Sequence, residues 1–148
     1  MRWRLLLLIG LVPSCAGGPV QPVSIDTAND ACAYCRMVVS EPRVAAQIVA
    51  PGEEPRVFDD IGCLRDYLAQ HAVAREAVVF VADHRTGEWV RAADAVYTVS
   101  RARRTPMASG IVAHASRASR EADGAAAGGE DDAVSAILGR VAPARNGV

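Results

Sequence analysis

The chain has 148 residues, of which 51% are hydrophobic, 5% aromatic and 22% charged, and its 16 basic and 17 acidic side chains leave a net charge of −1. This length and composition are typical of one compact globular domain or two very small ones. A chain without a basic excess or an aromatic ladder is not expected to bind nucleic acid. No nucleophile–base pair, carboxylate pair or phosphate-binding loop stands out, so we do not expect an enzyme.

The N-terminus has the features of a lipoprotein signal. Two arginines precede an apolar run at residues 5–12, which is too short to cross a bilayer as a stable helix. Residues 12–15, Val-Pro-Ser-Cys, have the shape of a lipobox. We therefore predict a signal peptide at residues 1–14 and a lipid on Cys15, with ordinary cleavage near Ala16 as the alternative.

Residues 15–31 are predicted to form the lipid anchor and a tether, because they contain little apolar surface and two prolines. The folded domain is predicted over residues 32–142 and a disordered tail over 143–148. Such a protein would lie on the periplasmic side of a bacterial membrane, held there by its lipid.

The first part of the domain is predicted as three strands followed by a helix. The strand-like segments are residues 38–39 with 44–49, which flank a turn at Glu41-Pro42-Arg43, and residues 56–58. Asp59 or Asp60 is placed to cap a helix that runs to about Ala72. Its apolar positions fall at helical spacing: Ile61, Leu64, Tyr67 and Leu68.

The second part alternates buried strands with turns. Strands are predicted at residues 78–82, 88–92, 95–99 and 110–115, with a turn at 83–87. Residues 116–132 are rich in Ala, Gly, Arg and acidic side chains and are expected to be loose, before a short closing helix at 133–138. The predicted fold class is α+β with small, mostly antiparallel sheets, and two similar strand-helix halves, 32–76 and 77–142, are considered.

The motif Cys32-Ala-Tyr-Cys35-Arg-Met37 places two thiols and a thioether within six residues. Thiolate and thioether sulfur are soft donors, and this set favours Cu(I) over zinc, magnesium or calcium. If Cys35 and Met37 lie on a strand, their side chains share a face with Cα atoms roughly 6–7 Å apart and can hold one ion.

Two other chemistries compete for this motif. A Cys-x-x-Cys pair outside the cytoplasm is often a dithiol–disulfide couple, and Thr105-Pro106 faintly resembles the Thr–Pro that faces such sites, so a thiol–disulfide redox lipoprotein is the alternative function. A structural zinc site needs four ligands, and only three cysteines are at hand. Cys63 is expected to be a core thiol rather than a ligand, and a Cys32–Cys63 or Cys32–Cys35 disulfide is the alternative.

Met107 offers a second thioether far along the chain. A lone Met is usually a core gap filler, but three nearby arginines place this segment near the surface, and Pro106 stiffens it. The histidines carry a weaker signal: His71 suits the C-terminal end of the helix, His84 is expected to be solvated in a turn, and His114 is expected to pack on a strand.

The order of these motifs resembles the NosL family, lipoproteins of nitrous oxide reductase maturation. The similarity covers about residues 30–115 and rests on the segments at 32–37, 58–64 (Phe-Asp-Asp-Ile-Gly-Cys-Leu), 83–89 and 105–113 (Thr-Pro-Met-Ala-Ser-Gly-Ile-Val-Ala). It implies a fold of two small sheet-and-helix subdomains.

In function, the resemblance implies a copper chaperone that carries Cu(I) and passes it to nitrous oxide reductase through an ABC-type membrane complex. The implied ligands are Cys35, Met37 and Met107, with Cys32 as an auxiliary thiol. Three positions depart from the family pattern: Arg36 and Ala108 replace Gly, and His114 replaces an aromatic residue. Beyond Ser116 the family pattern is hard to find.

Overall fold

Two small antiparallel sheets share one hydrophobic core in the computed structural model, which describes residues 18–101, 103–126, 128–132 and 134–139. The first sheet has four strands in the order β2-β1-β3-β4. Its strands are β1 (Ala46–Val49), β2 (Arg56–Phe58), β3 (Val78–Ala82) and β4 (Trp89–Arg91). Small sheets with few short helices confirm the predicted α+β class.

Helix α1 (Ile61–Gln70) packs on this sheet. Asp60 is its N-cap, since the Asp60 carboxylate accepts a hydrogen bond from the Gly62 amide at 2.6 Å. The first turn is buried, and Ile61 and Leu64 enter the core beside Phe58. The helix ends at Gln70, and His71 is its C-cap residue, at the C-terminal end where His71 was expected.

The second sheet has three strands in the order β6-β5-β7. These are β5 (Val96–Val99), β6 (Ile111–His114) and β7 (Glu130–Asp132). Asp83 ties the two sheets together: it pairs with Ala113 of β6 through an isolated bridge, and its carboxylate accepts from the Ala115 amide at 2.7 Å. The division considered at residues 76 and 77 falls just before β3, so the first sheet takes strands from both sides of it.

The segment at residues 116–132 was expected to be loose, and this expectation is wrong. It contains helix α2 (Arg117–Ala122), a 3-10 turn (Gly124–Ala126) and β7. Ser116 caps α2 by accepting from the Ser119 amide, and the Ser119 hydroxyl donates to Asp83 at 2.7 Å. The low apolar content hid an element held by long-range polar contacts.

The closing helix α3 (Val134–Leu138) is confirmed, and Ile137 and Leu138 are buried in the common core. Gly129 lies against β5 so closely that a Cβ there would stand 2.4 Å from the Thr98 Cγ2. Glycine at this position therefore allows β7 to approach β5.

The second half of the segment predicted as a tether, from Val23 onward, contacts the first sheet. The Val23 amide donates to the Gln47 side chain at 2.8 Å, and the Gln47 amide group donates back to the Val23 carbonyl at 3.0 Å. Ile25 packs against Val39 and Val57. The predicted signal peptide, Cys15 and the predicted tail at 143–148 lie outside the described residues. No described helix has the length and apolarity needed to cross a membrane.

Candidate metal centre

The Cys-x-x-Cys-x-Met motif forms a closed turn and not the strand considered for Cys35 and Met37. The Arg36 amide donates to the Cys32 carbonyl at 3.0 Å, and the Cys32 amide donates to the Met37 carbonyl at 2.7 Å. Arg36 adopts the left-handed region with φ of 67°, which reverses the chain between the two proposed ligands. The expectation of two neighbours on one strand face is therefore wrong.

Three free thiols meet at this turn and the first turn of α1. The Sγ atoms of Cys32, Cys35 and Cys63 all lie within 4.8 Å of one another. Cys32 and Cys63 are buried, and Cys35 is partly exposed. Cys63 is thus buried, as expected of a core thiol, but its sulfur also belongs to the cluster, which we call the thiol triad.

The three thiols differ in how readily they ionise. Burial opposes a charge on Cys32, but backbone N–H groups of Asp59, Cys35 and Tyr34 outweigh it and lower the pKa of the Cys32 thiol. Burial raises the pKa of the Cys35 thiol and that of the Cys63 thiol, and the neighbouring Cys32 thiolate adds to both increases. The thiol triad therefore ionises first at Cys32.

The two predicted thioether ligands lie near solvent. Met37 is 53% exposed and Met107 is 43% exposed. Met107 lines an open pocket of about 310 Å³ together with Tyr34 and Cys63. The fold thus brings Met107, which is 44 residues after Cys63, to a pocket that reaches one sulfur of the triad.

Asp60 connects the start of α1 to the Met107 segment. Its Oδ1 accepts from the Gly62 amide at 2.6 Å, and its Oδ2 accepts from the Met107 amide at 2.9 Å. The hydroxyl groups of Thr105 and Ser109 also donate to this carboxylate, at 2.6 Å and 2.5 Å. Because Asp60 is fully buried, these bonds are shielded from water, and the three from Thr105, Met107 and Ser109 fix the Met107 segment over the first turn of α1.

Close backbone approaches accompany this contact. A Cβ at Gly62 would lie 2.6 Å from the Ser109 Cβ, so the approach of the two segments requires glycine there. Ala108 has φ of 55°, and among the described residues it and Arg36 are the two non-glycine residues at positive φ. Both stand where the resembled family has Gly, and each is adjacent to a predicted methionine ligand.

The geometry bears on the two competing chemistries. Cys32 and Cys35 lie in a turn, and no helix begins at either, so the motif lacks the helix N-terminus that activates redox pairs of the thioredoxin type. A structural zinc site needs four ligands. Among the described residues, the sulfur cluster has three, all of them cysteines, and no His, Asp or Glu joins it.

Sequence reasoning missed a second polar cluster. His84 was expected to be solvated, which is wrong, because its Nδ1 lies 2.6 Å from the Asp123 carboxylate and its side chain is only 17% exposed. His114 is fully buried on β6, as its strand pattern predicted, and it too contacts Asp123. Their common partner, Asp123, lies in the segment expected to be loose, so no local sequence pattern predicted the cluster.

The fold and the metal centre can be compared with known proteins. The NosL family model matches residues 22–137, which is most of the chain. This chain belongs to the NosL family. The crystal structure of the copper chaperone NosL from Shewanella denitrificans matches with a TM-score of 0.65 at 19% identity, covering 78% of this chain and 94% of that one. The search of curated proteins found no match.

Membership of the NosL family confirms the resemblance seen in the motifs. The structural match, at this low identity, shows that the two proteins share a fold. The family match extends beyond Ser116, where the family pattern was hard to find in the letters, and it includes α2 and β7.

Proposed function

We propose that this NosL-family protein is a copper chaperone that binds Cu(I) through the thiol triad and the adjacent methionines. The observation that carries the proposal is the convergence of three free Sγ atoms within 4.8 Å beside a pocket lined by Met107. A similar fold belongs to a protein described as a copper chaperone. The proposed ligands are those predicted from the sequence (Cys32, Cys35, Met37 and Met107) with Cys63 added.

The donor set selects the ion. Cu(I) is satisfied by two or three soft sulfur donors, whereas zinc in a closed site takes four ligands and rarely uses a thioether. Cys32 loses its thiol proton most readily of the three because its pKa is lowered, and an incoming cation would favour loss of the remaining thiol protons. Because Cys35 is the one partly exposed thiol of the triad, a soft ion would reach the triad from the Cys35 side.

Transfer to a partner is supported by the surface around the centre. Among the described residues, the large apolar side chains that remain exposed are Tyr34, Met37, Val38 and Met107. Tyr34 and Met107 line the pocket, while Met37 and Val38 lie at the end of the motif and directly after it, and we call these four side chains the apolar rim. Such a rim is suited to a partner that covers the centre and exchanges ligands with the ion.

The proposed recipient is nitrous oxide reductase, reached through an ABC-type membrane complex, as the family resemblance implies. The proposed address is the periplasmic side of the membrane, with a lipid on Cys15. Replacing Cys15 by Ser should release the mature protein from membranes into the soluble fraction. A Cys15→Ser protein that still sediments with membranes would refute the anchor without affecting the metal site.

Anaerobic titration with Cu(I) against a competing chelator tests the cargo. The reduced, signal-free protein should bind one Cu(I) per chain at the sulfur centre, and its cysteines should hold Zn(II) much more weakly. Single replacements of the three triad cysteines by Ala should each weaken Cu(I) binding, and Met37→Leu, which removes the thioether but keeps an apolar side chain of similar size, should weaken it as well. Equal affinity of the cysteines for both metals, or for neither, would contradict a copper chaperone.

The same preparations distinguish the redox alternative. A thiol–disulfide protein would reduce insulin-like disulfides efficiently and would depend on Cys32 and Cys35 but not on Met107. A chaperone should show little disulfide reduction, while Cu(I) binding depends on residues from both segments. Efficient disulfide reduction with no dependence of Cu(I) binding on Met107 would favour the redox function.

A further inference from the structure

A second cluster of metal-ligating side chains lies away from the sulfur site. His84 belongs to the turn after β3, His114 ends β6, and Asp123 follows α2. The Asp123 Oδ2 lies 2.6 Å from the His84 Nδ1 and 2.9 Å from the His114 Nε2, and the three ligand atoms lie within 4.8 Å of one another.

We propose that His84, His114 and Asp123 form a second metal site, which takes a divalent ion of the Zn(II) class. Two imidazole nitrogens and one carboxylate oxygen are borderline and hard donors, a set that suits Zn(II) or Cu(II) and offers no sulfur to Cu(I). Three protein ligands leave one position of a tetrahedral ion for water. The site would therefore bind a different ion from the one proposed for the thiol triad.

The ligands are held in place before any ion arrives. His114 is fully buried, and Asp123 is 9% exposed. Burial alone would raise the pKa of Asp123, but hydrogen bonds from His114, His84 and the Ala125 amide outweigh it and hold the pKa at about 2. Asp123 is therefore a carboxylate at neutral pH, and the ion would replace hydrogen bonds already directed at one point.

Arg103 sets the direction of the hydrogen bond at one ring nitrogen of His84. A guanidinium NH group of Arg103 lies 2.9 Å from the His84 Nε2, and since a guanidinium donates only, this nitrogen must accept. The proton of neutral His84 then sits on Nδ1 and points to Asp123. His114 likewise donates from Nε2 to Asp123, and its buried Nδ1 has no hydrogen-bond partner among the described residues.

Binding an ion reverses these tautomers. An ion on the His84 Nδ1 and the His114 Nε2 moves each ring proton to the other nitrogen, with no net loss of protons from neutral rings. The new N–H on the His84 Nε2 then faces the Arg103 guanidinium, donor against donor. Arg103 must therefore withdraw, and in the ion-free protein it acts as a competitor that lowers the affinity of the site.

This competition makes a sharp test possible. An Arg103→Gln side chain can turn its amide oxygen to the His84 Nε2–H and accept from it, which is the contact that supports metal-bound histidines. Arg103→Gln should therefore bind Zn(II) about tenfold more tightly than the wild type, since contacts of this kind change metal affinity by about 10–100-fold. A gain in affinity cannot arise from partial unfolding.

The experiment is a Zn(II) titration of the reduced, signal-free chain against a competing chelator, which measures affinity. NMR of the histidine ring nitrogens then identifies the residues that bind the ion. The ring signals of His84 and His114 should shift with Zn(II), while those of His71, the C-cap residue of α1 and not a member of the cluster, should not. These signals report the histidines directly, so Zn(II) held by the thiols does not mimic the result, and the outcome is independent of copper binding.

Ligand variants complete the test. His114→Phe and Asp123→Asn should each weaken Zn(II) binding at this site by at least about tenfold, and His71→Phe is the matched control that should leave it unchanged. The proposal is overturned if the His84 and His114 signals do not move with excess Zn(II). It is also overturned if Arg103→Gln binds no more tightly than the wild type.

Discussion

Replacing Asp60 by Asn separates the cap of α1 from the support of the Met107 segment. Asn is a good N-cap and keeps an oxygen for the Gly62 amide. Its Nδ2 then takes the place of the Asp60 Oδ2, which accepts from the Thr105 hydroxyl at 2.6 Å and from the Met107 amide at 2.9 Å. The hydroxyl can turn and accept from Nδ2, but the amide cannot, so the Met107 N–H loses its partner.

The magnitude follows from that single bond. A hydrogen bond to a charged acceptor contributes about 1.5–3 kcal/mol, and an orphaned amide costs a comparable amount. We expect Asp60→Asn to lower the free energy of unfolding by about 2 kcal/mol, which for a domain of this size lowers Tm by about 8 °C. If Met107 is a ligand held by this contact, the affinity for Cu(I) should also fall by at least about tenfold.

Asp59→Asn is the matched control. Asp59 is also fully buried, but its Oδ1 accepts from Ser40 and its Oδ2 has no hydrogen-bond partner among the described residues. Asn can keep the Ser40 contacts, so we expect a change below about 1 kcal/mol and an unchanged Cu(I) affinity. The reasoning is refuted if Asp60→Asn lowers Tm as expected but binds Cu(I) like the control.

Three further predictions use the same two assays, thermal unfolding and Cu(I) competition. Met107→Ala should weaken Cu(I) binding and cost below about 1 kcal/mol of stability because the side chain is 43% exposed; a large Tm loss at unchanged affinity would make Met107 a core residue. Arg36→Gly and Ala108→Gly should each raise stability by about 0.5–1 kcal/mol, since φ is 67° and 55° there; a lowered Tm would contradict the strain. Burial opposes the charged form of Asp83, but four donors hold its pKa well below 3.8, so its stabilisation is present above about pH 4 and is lost at lower pH. The Tm difference between wild type and Asp83→Asn should therefore shrink on acidification, and a constant difference would refute the assignment.

Local signals predicted the elements that local chemistry determines. Helix α1 could be recognised because an Asp cap precedes apolar positions at helical spacing. The strands at 78–82 and 96–99 could be recognised because they are rich in β-branched and aromatic residues. Each of these patterns is contained within about ten residues of sequence.

Long-range contacts account for what was missed. Cys63 enters the thiol triad because the motif turn packs on α1, a tertiary contact that spacing along the chain does not encode. The expectation for His84 was wrong because its partner, Asp123, lies 39 residues away in an Ala- and Gly-rich segment. The turn at Arg36 had one sequence signal: the family has Gly there, and glycine is the residue that tolerates positive φ.

The pairing of Val23 with Gln47 shortens the free chain between the proposed lipid on Cys15 and the folded domain. A chain free from Cys15 to Ala31 could span at most about 58 Å, whereas the stretch from Cys15 to Val23 can span at most about 29 Å. The domain of a lipidated protein would therefore stay within a layer about one domain thick above the bilayer. Within that layer, the bound Cu(I) could reach acceptors embedded in the same membrane. Enzymes that diffuse in the bulk periplasm would have to approach the membrane surface to receive it.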